Sequence, residues 1–172
     1  MRRRRFLVLS AALPALLASC GWEPLYADRE TAAAAAGLRA IKVSPIPDRV
    51  GQQLEMALRS SFNPDGGPPP KQIYLLSVTL QRSLLDSGIQ SQGLGTRGEV
   101  HLSARYTLTD ITTNAVLQTG YVHTSDSFDI QANGYSTVVA QADAATRDVE
   151  DLRREIVARM TLLMQDKSRA AS

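Results

Sequence analysis

The sequence predicts an α+β fold: a two-layer sandwich in which about four strands form one mixed or antiparallel sheet and two helices pack on one face of it. Three observations carry this. From Glu99 to Thr109 the apolar residues Val100, Leu102, Ala104, Tyr106 and Leu108 alternate with polar ones, which gives a strand one dry face and one wet face. Two stretches carry helical stripes: Val50, Leu54, Leu58 and Phe62 at four-residue spacing, and Val138, Ala142, Ala145, Val149, Leu152, Ile156, Met160 and Leu163 by threes and fours. The order strand, helix, three strands, helix leaves two helices to cover one sheet face.

Residues 1–19 read as an export signal. Arg2 to Arg5 form a basic head and Phe6 to Leu17 a twelve-residue apolar run, too short to span a bilayer, which needs about 20 residues. Leu17-Ala18-Ser19-Cys20 has the pattern of a bacterial lipoprotein processing site, and Cys20 is the only cysteine of the chain. Its sulfur is therefore the expected attachment point of a diacylglycerol, with a further acyl chain on the new amino terminus; one chain alone binds membranes only marginally, whereas two or three anchor stably. Arg3-Arg4-Arg5-Phe6-Leu7 also fits a twin-arginine export motif, so the signal leaves the route open between the two general export systems. Position 21 holds Gly rather than the Asp that retains lipoproteins at the inner membrane, and delivery to the outer membrane is the expectation.

Residues 20–37, with Pro24, a charged patch from Asp28 to Glu30 and the run Ala32 to Ala36, read as a lipidated tether. A single domain is expected over 38–166, followed by a disordered tail at 167–172. Leu38, Ile41, Val43 and Ile46 mark a short strand closed by Pro45 and Pro47, which cannot donate to a ladder. Asp48 stands as a plausible N-cap for the first helix. Asn63 to Pro70, with Gly66-Gly67 and three successive prolines at 68–70, breaks it. Tyr74, Leu76, Val78 and Leu80 give the second strand, which runs on through Leu84 and Leu85; Asp110 to Asn114 forms a hairpin turn, and Val116 to Thr124 returns as the last strand. On the solvated side of the terminal helix, Asp143 with Arg147, Glu150 with Arg154 and Glu155 with Arg159 are expected as i,i+4 pairs, each worth about 0.2–0.5 kcal/mol.

Composition narrows the function. The chain has 19 basic and 17 acidic residues, but the signal takes four arginines with it, so the mature part is slightly acidic and shows no basic field for nucleic acid. With Cys20 acylated there is no disulfide and no thiolate metal site. Gly93-Leu94-Gly95-Thr96-Arg97-Gly98 matches a dinucleotide fingerprint, yet a strand follows where a helix must open, so it reads as a glycine-rich hairpin connection. His101 and His123 both fall on strands without a metal-ligand or nucleophile constellation around them. There is no Gly-x-Ser-x-Gly elbow and no HExxH, and the chain is read as non-enzymatic, without cofactor or metal.

Cys20-Gly21-Trp22-Glu23-Pro24-Leu25-Tyr26 resembles the mature amino terminus of the LPS-assembly lipoprotein family LptE in its alphaproteobacterial-like form, and the element order extends the resemblance over residues 20–165. The resemblance implies an outer-membrane subunit that plugs the β-barrel LPS translocon LptD, assists the barrel's assembly and helps insert lipopolysaccharide into the outer leaflet. It also implies basic LPS contacts in the turn between the second and third strands and before the last helix. Arg97 is the one basic residue between Asp86 and Gly98, whereas none lies between Ser125 and Gln141, a departure from that pattern. Arginine grips phosphate bidentately, so Arg97, together with Arg105 on the wet face of the following strand, is a candidate contact for the phosphates of LPS. Two other readings stand beside this one: an auxiliary lipoprotein of an ABC-type lipid transporter, and a lipoprotein hydrolase with a nucleophile that no local motif reveals.

Overall fold

The computed structural model describes residues 29–64, 71–89 and 95–170; Cys20 and the amino-terminal motif lie outside them. The elements are helix α1 (Arg29–Arg39), strand β1 (Ile41–Val43), helix α2 (Arg49–Phe62), strands β2 (Tyr74–Ile89), β3 (Gly95–Asp110) and β4 (Val116–Asp129), and helix α3 (Gly134–Ala170). The sheet order is β1-β2-β3-β4. β1 runs parallel to β2, and the other two pairings are antiparallel. The α+β sandwich with a four-stranded mixed sheet is thus as the alternation and the helical stripes predicted, with a third helix added.

That third helix, α1, includes the alanine run of the expected tether. Eleven residues are marginal for an isolated helix even when rich in alanine. Here α1 packs on α3, burying Ala34, so tertiary contact supplies what length does not. α3 is also longer than expected. It continues to Ala170, past the boundary drawn at 166, and Lys167 Nζ sits 4.7 Å from the ring centre of Tyr74 on the sheet, a cation–π contact that ties the last turns down.

The dry face of β3 is as read: Val100, Leu102, Ala104, Tyr106 and Leu108 are all buried. They meet Leu152, Ile156 and Met160 of α3, while Leu54, Leu58 and Phe62 of α2 close the core over β1. The start of α3 departs from the predicted stripe. Val138 is 63% exposed and Ala142 is exposed, and burial begins only at Ala144 and Ala145. The first two turns therefore lie beyond the cover of the core. Leu84 and Leu85 are also exposed, although β2 does run through them.

Two register pairs between β3 and β4 unite an aromatic ring with a glycine: Tyr106 opposite Gly120 and Phe128 opposite Gly98. A Cβ at Gly120 would stand 2.3 Å from Tyr106 Cζ and one at Gly98 2.3 Å from Phe128 Cζ. Each ring lies across the strand opposite, and only glycine leaves it room. The third glycine of the apparent nucleotide fingerprint is explained by packing.

Local chemistry sets the connections. Asp110 Oδ1 accepts from the amides of Thr112 (2.8 Å) and Thr113 (3.2 Å), which holds its carboxyl below the usual range, and Asn114 takes φ 56° to close the turn. Asp48 occupies the N-cap position of α2 with φ 69° but makes no side-chain cap bond, contrary to expectation. Glu55 instead ties down the chain that enters the helix, its Oε2 accepting from the Ile46 amide at 3.0 Å. The surface pairs of α3 are partly re-sorted: Asp143–Arg147 and Glu155–Arg159 form, but Glu150 pairs with Arg153 and Arg154 with Asp151. The i,i+3 choice leaves Arg153 free to donate to Ser61 Oγ of α2 at 2.9 Å.

One charge sits under α3. Asp148 is 1% exposed, and its Oδ2 has no hydrogen-bond partner. Burial pushes its carboxyl up to about 6, the nearby Asp126 and Asp151 add to this, and a hydrogen bond from Thr124 and the charge of His101 oppose it. The unfolded value is about 3.9, so the folded chain binds more protons between about pH 4 and 6. Stability must fall as pH rises through that window, with the full penalty present above it.

Two outcomes follow for stability. Leu152→Asp or Ile156→Asp should cost several kcal/mol by placing an unpaired charge among core side chains, whereas Glu150→Gln, with the Glu150 side chain 52% exposed, should leave the melting temperature nearly unchanged; equal tolerance would mean the helix faces the sheet differently. Asp148→Asn should raise the melting temperature at pH 7.5, by on the order of 1–3 kcal/mol of stability, and flatten the fall between pH 4 and 6. Melts across that range check it, and a variant that keeps the wild-type profile would locate the titrating penalty elsewhere.

Candidate functional site

Strand alternation places the polar residues of β2, β3 and β4 on the sheet face that the helices leave open. The register stacks them in rows: Thr79, Arg105 and Tyr121; Gln81, Ser103 and His123; Ser83, His101 and Ser125. A shallow cavity of about 610 Å³ lies on this face, lined in part by Gln81, Ser83, Leu85, His101, Tyr121 and His123. Tyr121 and His123 stack with ring centres 6.0 Å apart. His101 Nε2 lies 3.3 Å from Glu99 Oε2 without the alignment of a hydrogen bond.

Such a face can bind, and its described residues show no hydrogen-bonded nucleophile and base. Ser103 and His123 are cross-strand partners, yet no hydrogen bond joins them and no carboxylate orients the imidazole, as a nucleophile and its base would require. Among the described residues no group of three or more His, Cys, Asp or Glu is placed to hold a metal ion. No helix among them is long and apolar enough to cross a membrane.

Arg97 and Arg105 share the open face but not a site. They stand eight residues apart on β3, about 26 Å along an extended strand. Arg97 is exposed at the far end of the sheet, opposite Asp129, whose Oδ1 is 3.9 Å from its Nε. Arg105 sits mid-sheet between Thr79 and Tyr121. Near Arg97, β4 ends at Asp129 and α3 opens at Gly134, and the first turns of that helix carry exposed Tyr135, Val138 and Val139. The strand end that carries Arg97's partner Asp129 thus leads directly into a helix turn with exposed apolar side chains.

Two further features add to expected helix pairs long-range contacts that sequence reasoning misses. Arg147 joins Asp126 and Asp143 and donates to the Ser127 carbonyl; this pairing raises the guanidinium and lowers Asp126. Arg159 donates to Glu155, to Tyr106 Oη at 3.5 Å and to the Tyr121 carbonyl at 3.2 Å, and the bond with Tyr106 leads the causes that raise it. At the opposite edge, a cavity of about 440 Å³ beside β1 has Ile41, Val43 and Phe62 among its walls and Arg39, Lys42 and Arg59 around it.

Comparison with known proteins gives a consistent answer. A crystal structure of a lipoprotein from Caulobacter crescentus CB15 superposes with a TM-score of 0.61 at 20% identity, covering 77% of this chain and 96% of that one. The rare lipoprotein B from Shewanella oneidensis gives 0.51 at 8% identity, covering 76% and 96%. At these identities the likeness establishes the fold. No curated protein matches by sequence. The model of the family described as LptE, lipopolysaccharide-assembly, matches residues 38–160, which is most of the chain and nearly all of its described fold. The chain belongs to the LptE lipopolysaccharide-assembly family.

Proposed function

We propose that this chain is an outer-membrane lipoprotein, anchored through acylated Cys20, that plugs the β-barrel LPS translocon LptD, assists its assembly and helps insert lipopolysaccharide into the outer leaflet. The family match over residues 38–160 carries this reading. Three features of the chain support it. The processing motif ends at the single cysteine. One sheet face is polar and left open by the helices, as a domain enclosed by a larger, partly polar partner requires. Arg97 pairs across from Asp129, and five residues on from Asp129 a helix opens whose first turns expose Tyr135, Val138 and Val139; a cation and apolar side chains are the combination suited to a phosphorylated, acylated lipid.

A mild-detergent pull-down of the tagged lipoprotein from outer membranes should bring down a large β-barrel in stoichiometric amount. Recovery of an inner-membrane ABC-type complex instead would favour the transporter-auxiliary reading. Cys20→Ala should leave unprocessed or soluble protein, since no other side chain offers a thiol; a variant that still fractionates with the outer membrane in the absence of its partner would overturn the anchor.

For the lipid, the separation of the two arginines makes a differential test. Arg97→Glu should weaken LPS pull-down by the purified protein several-fold, and the wild-type interaction should fall with added salt. Arg105→Glu, about 26 Å away, should change it little. Equal binding by wild type and Arg97→Glu at equal melting temperature would remove Arg97 from lipid contact.

A further inference from the structure

β4 is the last strand of the sheet, and its outer edge is long. The pairing fixes which main-chain groups face outward. The Ile111 amide bonds to Ile73, so the odd-numbered residues of β3 turn their amides and carbonyls toward β2 and the even-numbered ones toward β4. In the constant register beyond the irregularity at Leu108/Thr109, Ala104 faces Val122 and Leu102 faces Thr124. The even-numbered residues of β4 therefore bond inward, and Tyr121, His123, Ser125 and Ser127 present their N–H and C=O groups outward.

Helix α3 runs alongside this edge and treats its two ends differently from its middle. Arg159 covers the Tyr121 carbonyl and Arg147 the Ser127 carbonyl. The twelve-residue interval between the arginines spans about 18 Å of helix, close to the roughly 20 Å of the six-residue strand interval, so one helix can reach both. Between them, no side chain or neighbouring strand among the described residues meets the outward groups of His123 and Ser125. A groove of about 780 Å³ opens there between edge and helix, with Tyr121 to Thr124 on one wall and Asp151, Arg154, Glu155, Ala158 and Arg159 on the other.

We propose that this groove is a strand-addition site, taking a short extended segment of a partner protein that pairs its main chain with His123 and Ser125 and lies against α3. Two donors and two acceptors at strand spacing are complemented by an extended backbone. The helix wall carries acidic and basic side chains in equal number, already paired as Asp151–Arg154 and Glu155–Arg159, and so gives no net field for an anionic lipid head group. A second copy of the chain fits poorly. Antiparallel pairing of two such edges about Thr124 would set Tyr121 of one copy opposite Ser127 of the other, bringing Arg159 against Arg147. Taken with the function proposed above, on which the choice of partner rests, the segment belongs to the β-barrel.

The test uses the tagged, lipidated protein with the barrel it co-purifies with. Ser125→Pro removes an outward amide from the strand edge without taking any hydrogen bond from the β3–β4 ladder, since that amide does not face β3. It should reduce barrel recovery at least tenfold at the wild-type melting temperature. Hydrogen exchange resolved to single amides should show His123 and Ser125 slowed at least tenfold in the complex relative to the free protein. Full barrel recovery by Ser125→Pro, or unchanged exchange at both amides in the wild-type complex, overturns strand addition while leaving the functional reading in place. Should the proline variant melt lower than wild type, the exchange measurement decides alone. A wild-type protein that brings down no barrel overturns the functional reading and this assignment of the occupant with it, and a defined concentration-dependent dimer with slowed exchange at these two amides would give the edge to a second copy.

Discussion

The seating of Tyr106 across Gly120 constrains more of this molecule than any other contact. The ring has room only because the opposing residue lacks a Cβ, and the same arrangement recurs eight residues away where Phe128 crosses Gly98. A slip of β4 by one residue would drive each ring into a side chain and turn every buried residue of the strand outward. With the register pinned, Val122 and Phe128 face the core, the odd-numbered carbonyls face the free edge, and Arg159 can reach both Tyr106 Oη and the Tyr121 carbonyl. One steric fit between two side-by-side strands thereby sets core, edge and helix docking together.

The core that results is one-sided. Burial by α2 and α3 stabilises one sheet face, and α1 adds a small apolar contact from the amino-terminal side. Among the described residues, no helix covers the other face. Asp148 is the exception within the dry layer, a carboxyl buried at a cost that the Thr124 hydrogen bond only partly offsets. A leucine or asparagine there would serve stability better, so this is one of the places where local sequence and global fold disagree.

Sequence reasoning succeeded where burial pattern is local. The alternation from Val100 to Leu108 and the stripe from Val149 to Met160 each report a single face, and one period is enough to read it. It failed where the outcome depends on which elements meet. α1 has too little length to declare itself, and packing on α3, where Met164 lies against Gly37, makes it worth forming. Val138 and Ala142 carry the right spacing but extend past the covered part of the sheet. The choice of Arg153 over Arg154 as partner of Glu150 follows from Ser61, ninety-two residues away in sequence from Arg153. Arg97 and Arg105 read as one charged patch because alternation gives the face and says nothing of distance along it. The free edge of β4 was invisible for a related reason: which strand ends a sheet is a property of topology.

The same topology bears on how a modest surface would suffice for the proposed role. The open face and the groove beside β4 are polar and mixed in charge, and surfaces of that kind give orientation and specificity more than raw affinity. A lipid anchor on Cys20 would compensate for this. Holding the domain at the membrane that contains its partner converts docking from a three-dimensional search into one at high effective concentration, which can raise apparent affinity by orders of magnitude without a new contact. Under that division of labour the acyl chains supply retention and the sheet supplies fit. The domain then has no need of a large exposed apolar patch, which in the periplasm would invite aggregation. The apolar residues exposed on the first turns of α3, Tyr135, Val138 and Val139, lie outside the lining of the groove beside β4, so contact with an amphiphile there and contact with protein in the groove would be made by different parts of the fold and could be lost independently by mutation.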